Sequence, residues 1–497
     1  MPMKGLLALV LVLVLGWLGA TWYVGMRAEE LVRSEVANLE LLPGRDDIVL
    51  DVVRYDRGLF SSQADTCLVI QGDLAAMAGG MDLAGALCMT STIFHGPLIL
   101  SEDGVSLGLA ATRDAFDTST LPPQGKAMLD EIFKGRSPLE GKSYYGFDGS
   151  LAATLEIPPV DVESPMGNLQ LKQFTVDMVR PSASPYPLNS YFTVKGFHTE
   201  TPKGTVSLDS LTGSMDVVAM LDDEVPLTNA NFTSKGFRYV QNELTLLAFD
   251  AILQANSQDK GAVLNGSTGI WLDNMQAPLL PVPMDSAYIG MDFEGIDKAA
   301  LVRLNRISRE LDEVQTAMAL SAMSGEGSGD INQQIDRLQS LMDDMMSVLS
   351  EKLLKPGDST ISMKMLADLD GKRQFSFDSK ARYLGLEGKN LPFQEFMLLD
   401  EQQLNAMLDM TVHLDVADAV IPPPLVETLH AYEEQGLILH EGERWRGDIN
   451  ARGETLLING QVMTVTEVKA LLDQLHPAPE GDALSMDEEA LMEMEID

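Results

Sequence analysis

A run of twenty uncharged, mostly apolar residues near the N-terminus, Gly5–Val24, constrains this chain more than any other feature of its sequence. At about 1.5 Å per residue, a helix of this length spans roughly 30 Å, which is the hydrocarbon thickness of a bilayer. A signal peptide would need small residues before its cleavage site, and cuts after Ala20 or Gly25 would place Leu18 or Tyr23 at the −3 position. We therefore expect an uncleaved transmembrane anchor over residues 1–25.

Charged and aromatic residues around this run set its expected orientation. Lys4 precedes the run, and Trp17, Trp22 and Tyr23 lie in its second half, where aromatic side chains are enriched at the membrane–water interface. Arg27 follows together with Glu29 and Glu30, and acidic residues contribute little to orientation. The small excess of positive charge on the N-terminal side predicts an N-terminus in the cytoplasm and a body outside it.

Length and charge bound the class of the body. The 497 residues are enough for two to four average domains or one elongated domain, and 45% hydrophobic residues suffice for a core. The formal net charge is −39, from 35 basic and 74 acidic residues. Such a chain is repelled by phosphates, so nucleic acid is excluded as a partner and adhesion to anionic lipid surfaces is disfavoured.

Hydrophobic residues alternate with polar ones from residue 46 to residue 295. Ile48–Tyr55 and Ser62–Ile70 predict two strands, and Met215, Val217, Ala219 and Leu221 share one face of a later strand. Before this β-rich module, residues 26–45 predict a short stalk helix that ends at a Pro-Gly pair. A modest helix over Lys126–Phe133 interrupts the module.

The period then changes to 3.5, which predicts a helical hairpin over residues 296–356. Asp297 and Asp330 are candidate N-caps, and a glycine-rich connector, Gly325–Gly329, separates the two helices. Its apolar seams should face each other or a sheet. The seam residues are Leu304, Ile307, Leu311, Val314 and Met318 in the first helix, and Ile331, Ile335, Leu338, Met342, Met345 and Leu349 in the second.

Alternation returns over residues 357–476, which form a second β-rich module with short helices. Leu404–Val416 predicts its longest strand, Pro422 begins a helix that reaches about Glu434, and Glu467–Leu475 predicts a last helix. Residues 477–497 form an acidic tail that we expect to be disordered. The fold class is therefore α+β: a transmembrane helix followed by a mainly antiparallel β-rich body with an inserted helical hairpin.

The two cysteines, Cys67 and Cys88, leave two states open. In an oxidising compartment, a disulfide between them would add about 3 kcal/mol to the free energy of unfolding. Both residues also have apolar neighbours in the sequence, which suits two buried free thiols on strands.

The sequence lacks the patterns that mark catalytic and metal sites. Its six histidines are scattered, without a His-Glu-x-x-His arrangement, and it contains no Walker A loop, no Gly-x-Ser-x-Gly elbow and no Cys-x-x-Cys. Acidic clusters such as Asp222–Glu224 are typical of solvated turns. We predict no enzyme activity, no catalytic or metal-binding residue and no cofactor.

Three short motifs carry a family resemblance. Val53–Ser62, which contains Arg57, Gly58, Leu59, Phe60, Ser61 and Ser62, follows the N-terminal run; then come His95, Gly96, Pro97 and Leu98, and finally Leu457–Met463 with Asn459 and Gly460. In this order they resemble the YdgA family, bacterial envelope proteins of unknown function. The resemblance implies an anchor in the bacterial inner membrane and a β-rich body in the periplasm. It supplies no catalytic residues, and the motif residues suit turns of the scaffold.

Two functions follow from these observations. The first is a non-enzymatic, membrane-anchored periplasmic protein that serves as a scaffold or interaction module for an envelope partner. The alternative is binding or transfer of a lipid or other hydrophobic molecule in a groove between sheet and helices, since methionines cluster around the hairpin and its neighbours. The apolar seams of the hairpin also leave room for a homodimer.

Overall fold

The fold was analysed in a computed structural model that describes residues 21–30, 32–33, 48–70, 87–101, 104–164, 167–182, 184, 186–222, 224–278, 284–324, 328–399, 401–452 and 455–475. Most of the predicted anchor, the stalk beyond residue 33 and the predicted acidic tail lie outside these residues. Residues 21–30 and 32–33 are helical. Within the described ranges, no helix combines the length and the apolar character needed to cross a membrane.

Strands dominate the body, as the alternating sequence predicts. Their bounds are β1 Ile48–Arg57, β2 Ser61–Ile70, β3 Leu87–His95, β4 Leu98–Ser101, β5 Gly104–Leu107, β6 Ala110–Asp117, β7 Glu140–Tyr145, β8 Leu151–Ile157, β9 Val160–Ser164, β10 Gly167–Leu171, β11 Gln173–Arg180, β12 Leu188–Thr201, β13 Gly204–Leu221, β14 Val225–Gln241, β15 Leu244–Lys260, β16 Val263–Gln276, β17 Ser286–Asp297, β18 Thr360–Leu369, β19 Lys372–Tyr383, β20 Leu408–Ala417, β21 Leu439–Glu441, β22 Arg444–Arg452, β23 Thr455–Ile458 and β24 Gln461–Thr464.

In the described part of the chain, 22 of these strands join in one sheet, and β4 and β5 form a separate hairpin. All pairings are antiparallel, and the order across the sheet follows the chain from β1 to β24 with few exceptions. Strands β12 to β16 are 14 to 18 residues long. The mainly antiparallel, β-rich body predicted from the sequence is therefore confirmed.

Helices, two of them longer than twenty residues, connect or cover the strands. They are α1 Pro123–Phe133, α2 Lys298–Ser324, α3 Ser328–Val348, α4 Phe393–Phe396, α5 Glu401–Ala406, α6 Pro423–Glu434 and α7 Val465–Leu475, with single 3-10 turns at Thr118–Thr120 and Asp418–Val420 and a π turn at Leu349–Leu353. Pro123 and Pro423 occupy first-turn positions, where the missing N–H costs nothing.

Helices α2 and α3 form the predicted hairpin, and each packs one face against the other. The seam predicted for α2 lies in this contact. The seam predicted for α3 is partly wrong: α3 faces α2 with Leu338, Leu341, Met345 and Val348, whereas Ile335, Met342 and Leu349 are exposed. Ile307, Val314, Leu341 and Val348 are buried in a cluster that belongs to the hairpin itself. The base of α2 packs on the sheet through Val302, and Arg306 and Arg309 both pair with Glu224.

The hairpin interrupts the chain without interrupting the sheet. Strands β17 and β18 flank it in sequence and pair directly, from Ser286 opposite Asp368 to Glu294 opposite Thr360. The ladder therefore runs on between the two predicted β-rich modules, whose division stays a prediction.

The predicted strand over Leu404–Val416 begins too early. Residues Glu401–Ala406 form helix α5, and the strand runs over Leu408–Ala417. The alternating pattern corresponds to a strand only from Leu408 onward. The preceding Glu-Gln-Gln-Leu segment consists of good helix formers, so it is helical.

Candidate functional site

An apolar cavity of about 560 Å³ lies between one face of the sheet and helix α6. Its floor contains a row of five residues that pair strand by strand from β17 to β22: Ala287, Ala367, Phe375, Val416 and Trp445. Directly opposite residues of an antiparallel sheet point to the same face, so alternation in five separate strands creates one continuous apolar surface. Ile289, Met365 and Leu414, two residues along their strands, extend that surface.

The cover of the cavity comes from the segment that follows β20. Val420, Ile421 and Pro422 lead into α6, which contributes Leu425 and Leu429 to the lining. Leu425 is 52% exposed, so it stands at the mouth, whereas Trp445 is 4% exposed and closes the floor. The cavity is thus open to solvent along the edge of α6.

Few polar groups reach this cavity. Of the described residues that line it, Arg446 alone carries a formal charge, and its guanidinium is already paired with Glu441 at 2.6 Å and Asp415 at 3.4 Å. A volume of this size falls within the range of small-molecule sites. The lining therefore offers a ligand mainly apolar area.

Two histidines surround the floor tryptophan. His440 stacks on Trp445 with ring centroids 4.3 Å apart, and His430 meets the same ring edge-on at 5.0 Å. The His440 Nε2 atom lies 3.0 Å from an Asp418 carboxylate oxygen, in the turn that leads to α6. These contacts fix the ring of Trp445 and tie the start of the cover to the sheet.

A second candidate region contains two of the three sequence motifs. His95, 2% exposed, lies 2.9 Å from the Ser62 hydroxyl through Nε2 and 3.3 Å from the Leu59 carbonyl through Nδ1. A carbonyl only accepts, so Nδ1 carries the proton and Nε2 accepts the hydrogen bond from Ser62. Burial lowers the pKa of the imidazole below its ordinary value.

This serine–histidine pair is shielded from solvent. Ser62 is 1% exposed, so its hydroxyl is not presented to solvent as a nucleophile. The backbone N–H of His95 also donates to the Phe60 carbonyl at 2.9 Å. Together these bonds hold the turn at residues 58–61 against the end of β3.

The neighbouring motif residues permit close approaches of the backbone. Gly58 donates its N–H to the Ser61 carbonyl at 2.9 Å, and Gly96, which precedes Pro97 in a cis peptide bond, donates to Leu109 at 2.8 Å. A β-carbon on Gly96 would overlap the carbonyl oxygen of Gly108. Any larger residue would push the two turns apart.

The third motif lies at the other end of the strand order. Asn459 and Gly460 connect β23 to β24, both with positive φ, which suits a tight hairpin turn. The Asn459 side chain donates to the Gly436 carbonyl at 3.0 Å and accepts from Asp448 N–H at 2.8 Å. The structure thus brings Arg57–Ser62 and His95–Pro97 together and leaves Asn459–Gly460 apart.

Cys67 and Cys88 are joined by a disulfide in the structure. They are directly opposite each other in strands β2 and β3, and they are 6% and 5% exposed. The bond lies within the same group of strands that carries Ser62 and His95.

The chain is thus a β-rich protein whose large antiparallel sheet carries an apolar pocket covered by a helix. The chain matches the bacterial family of unknown function DUF945 over residues 3–466, and it belongs to that family. Protein YdgA of Escherichia coli (strain K12) is 24% identical over 166 residues, which are 32% of this chain and 32% of that protein. The chain thus aligns with about a third of the curated relative. No solved structure matches. The resemblance derived from the motifs is confirmed.

Proposed function

We propose that this protein is a non-enzymatic, membrane-anchored envelope protein that binds a hydrophobic molecule with a flexible chain in the cavity beneath α6. The cavity is the observation that carries the proposal. Its floor and cover are apolar, it is open at one edge, and its 560 Å³ suffice for one acyl chain. Each methylene moved from water into such a site contributes about 0.8 kcal/mol.

The location of the protein is part of the same proposal. Gly5–Val24 would hold it in the inner membrane with its body in the periplasm, where hydrophobic molecules move between membranes. The family match over residues 3–466 supports the proposal, because the matched segment includes the whole of this apolar run.

Native mass spectrometry of the detergent-solubilised full chain tests the binding function. We expect a stoichiometric adduct with the mass of a lipid or fatty acid. The variant Ala367→Phe fills the floor of the cavity and should lose most of that adduct. Ala381→Phe makes the same change on the neighbouring strand, outside the lining, and should retain it. Equal adducts on both variants, or none on the folded wild type, would contradict the proposal.

A scaffold role is the second candidate, and the helical hairpin favours it. Because α2 and α3 pack on each other through Ile307, Val314, Leu341 and Val348, their outer surfaces, including Ile335 at 44% and Met342 at 43% exposure, are left for a partner protein. Deletion of residues 298–357, joined by a short turn, should then abolish co-purification of an envelope protein while the lipid adduct stays.

A further inference from the structure

One face of the N-terminal helix segment, residues 21–30, packs on the sheet. Thr21 and Ala28 are 0% and 4% exposed, and Ala28 belongs to a core cluster with Val52, Ala64 and Ile93. The spacing of the buried positions is that of one helical face. The other face must therefore meet whatever surrounds the body at this end.

That other face is aromatic and apolar. Trp22 is 50% exposed, Tyr23 is 52% exposed and Met26 is 37% exposed. Large apolar side chains that are exposed together at one place mark a contact with another phase or partner, whereas singly scattered ones do not.

The turn at residues 58–61 adds two more large side chains at the same place. Leu59 is 42% exposed and Phe60 is 47% exposed. The Arg57 guanidinium lies 5.8 Å from the centre of the Trp22 ring, which joins this turn to the helix. Trp22, Tyr23, Met26, Leu59 and Phe60 are called the apex surface below.

Arginines border the aromatic part of the apex surface. Arg27 lies over the Tyr23 ring at 5.9 Å, in the same way as Arg57 lies over Trp22. Aromatic rings with arginines beside them are the composition of a membrane–water interface, where the ring sits at headgroup level and the guanidinium reaches phosphate. Arg27 is also paired with Glu30 at 2.6 Å, so the local charge is nearly balanced and suits the headgroup region of a zwitterionic bilayer although the whole chain is acidic.

The course of the chain identifies the occupant. The uncharged run Gly5–Val24 enters the described helix at Thr21, so its last four residues are the first turn of the segment that carries the apex surface. If the chain leaves a bilayer at this point, Trp22 and Tyr23 lie at the membrane–water interface. The turn at residues 58–61 lies there too, because Arg57 beside it contacts the Trp22 ring.

We propose that the apex surface lies in the headgroup region of the bilayer, so that Leu59 and Phe60 form a second contact with the membrane beside the anchor. Two contacts restrict the tilt of the sheet relative to the membrane, which a single flexible anchor does not. This inference rests on the anchoring part of the proposed function and is independent of the pocket.

The test uses the full chain in phosphatidylcholine vesicles. Phe60→Cys is labelled with an environment-sensitive fluorophore, with the native cysteines held in their disulfide, and Val462→Cys, 72% exposed on the last strand, is the matched control. Lipid-borne quenchers should reduce the signal at position 60 roughly threefold more than at position 462, because interfacial side chains lie about 5–10 Å deep. Leu59→Cys, labelled in the same way, covers a failure of the first variant to fold.

The outcomes separate the two proposals. Protein that floats with the vesicles but is quenched equally at both positions keeps the anchor and overturns the apex contact. Protein that does not float overturns both. Oxidative cross-linking of Phe60→Cys into dimers at low protein density would make a second copy the occupant, and it would likewise overturn the inference.

Discussion

The backbone of Gly25 packs closely against the imidazole ring of His95. A β-carbon on this glycine would lie only 2.7 Å from Nδ1 and 2.8 Å from Cε1 of the ring. His95 in turn holds the turn at residues 58–61 through Ser62 and Leu59. One motif histidine therefore links the helix that continues the apolar run to the first three strands of the sheet.

Substitution of Gly25 should weaken this link. Gly25→Ala places a methyl group against a buried ring held by two hydrogen bonds, so the free energy of unfolding should fall by about 1–3 kcal/mol. Gly125→Ala is the matched control, since it is also a helical glycine and has no atom within 4 Å of the added carbon. That control should gain about 0.5–1 kcal/mol. Urea denaturation measures both, and an unchanged midpoint for Gly25→Ala would contradict the contact.

The buried state of His95 predicts a loss of stability in acid. Its pKa is lowered in the folded state, chiefly by burial, so the unfolded chain binds more protons at this residue once the pH falls below about 6.5. Its stabilising contribution is complete above that pH and decreases toward the lowered pKa. Between pH 7 and pH 5, His95→Gln should therefore lose less unfolding free energy than the wild type loses. If the unfolding free energy of the wild type and of His95→Gln fell equally with pH, His95 would not be the cause of the loss of stability in acid.

The disulfide should stabilise the first strands of the sheet. It closes a loop with a sequence separation of 21 residues, for which loop entropy predicts a contribution of about 3 kcal/mol. Reduction of the wild type should lower the urea midpoint, whereas the double variant Cys67→Ala, Cys88→Ala should be insensitive to reductant. A wild type with the same midpoint in both redox states would show that the two strands gain nothing from the bond.

The mouth of the cavity offers a test of binding that spares the fold. Leu425 is 52% exposed, so Leu425→Asp should leave the thermal midpoint nearly unchanged while it places a negative charge at the entrance. We expect the affinity for octadecanoate, measured by isothermal titration calorimetry, to fall about tenfold, which is 1.4 kcal/mol. Leu398→Asp, at an 84% exposed position outside the lining, is the control. Equal affinities of the two variants would place the acid elsewhere.

Periodicity alone predicted most of the elements. Period-two alternation gave strands such as β1 and β13, and the 3.5-residue seam gave α2 and α3, because each pattern is local and follows from backbone geometry. The start of β20 was predicted too early, because the sequence Leu404–Met407 suits both a helix and a strand. A tertiary contact decides there: Met407 is 3% exposed and accepts a bond from Leu384 N–H.

The cavity could not be predicted in the same way. Its floor needs Ala287 beside Ala367 and Val416 beside Trp445, which depends on the register of five strands. Register is set by turns and by the whole buried face, so no short stretch of sequence contains it. The sequence suggested a methionine-lined groove near the hairpin, whereas the cavity lies beneath α6 with Met284 and Met365 as its methionines.

The motif residues were predicted to be scaffold, and the contact that explains His95 was not found. Ser62 lies 33 residues from His95 in sequence, and Gly25 lies outside every motif. A glycine within an apolar helix face was the available signal, since such a position often marks a close approach.

The order of strands in the sheet has a consequence for how the chain reaches this structure. Almost every strand pairs with the one made just before it, and the segments that intervene are self-contained: β4 pairs with β5, and α2 packs on α3. Loop closure is therefore short for most pairs of partners, and the pairing of β17 with β18 across the helical hairpin is a long one. The sheet can lengthen strand by strand at its C-terminal edge while synthesis continues, so that β1, β2 and β3 are paired long before β22 and α6 close the pocket.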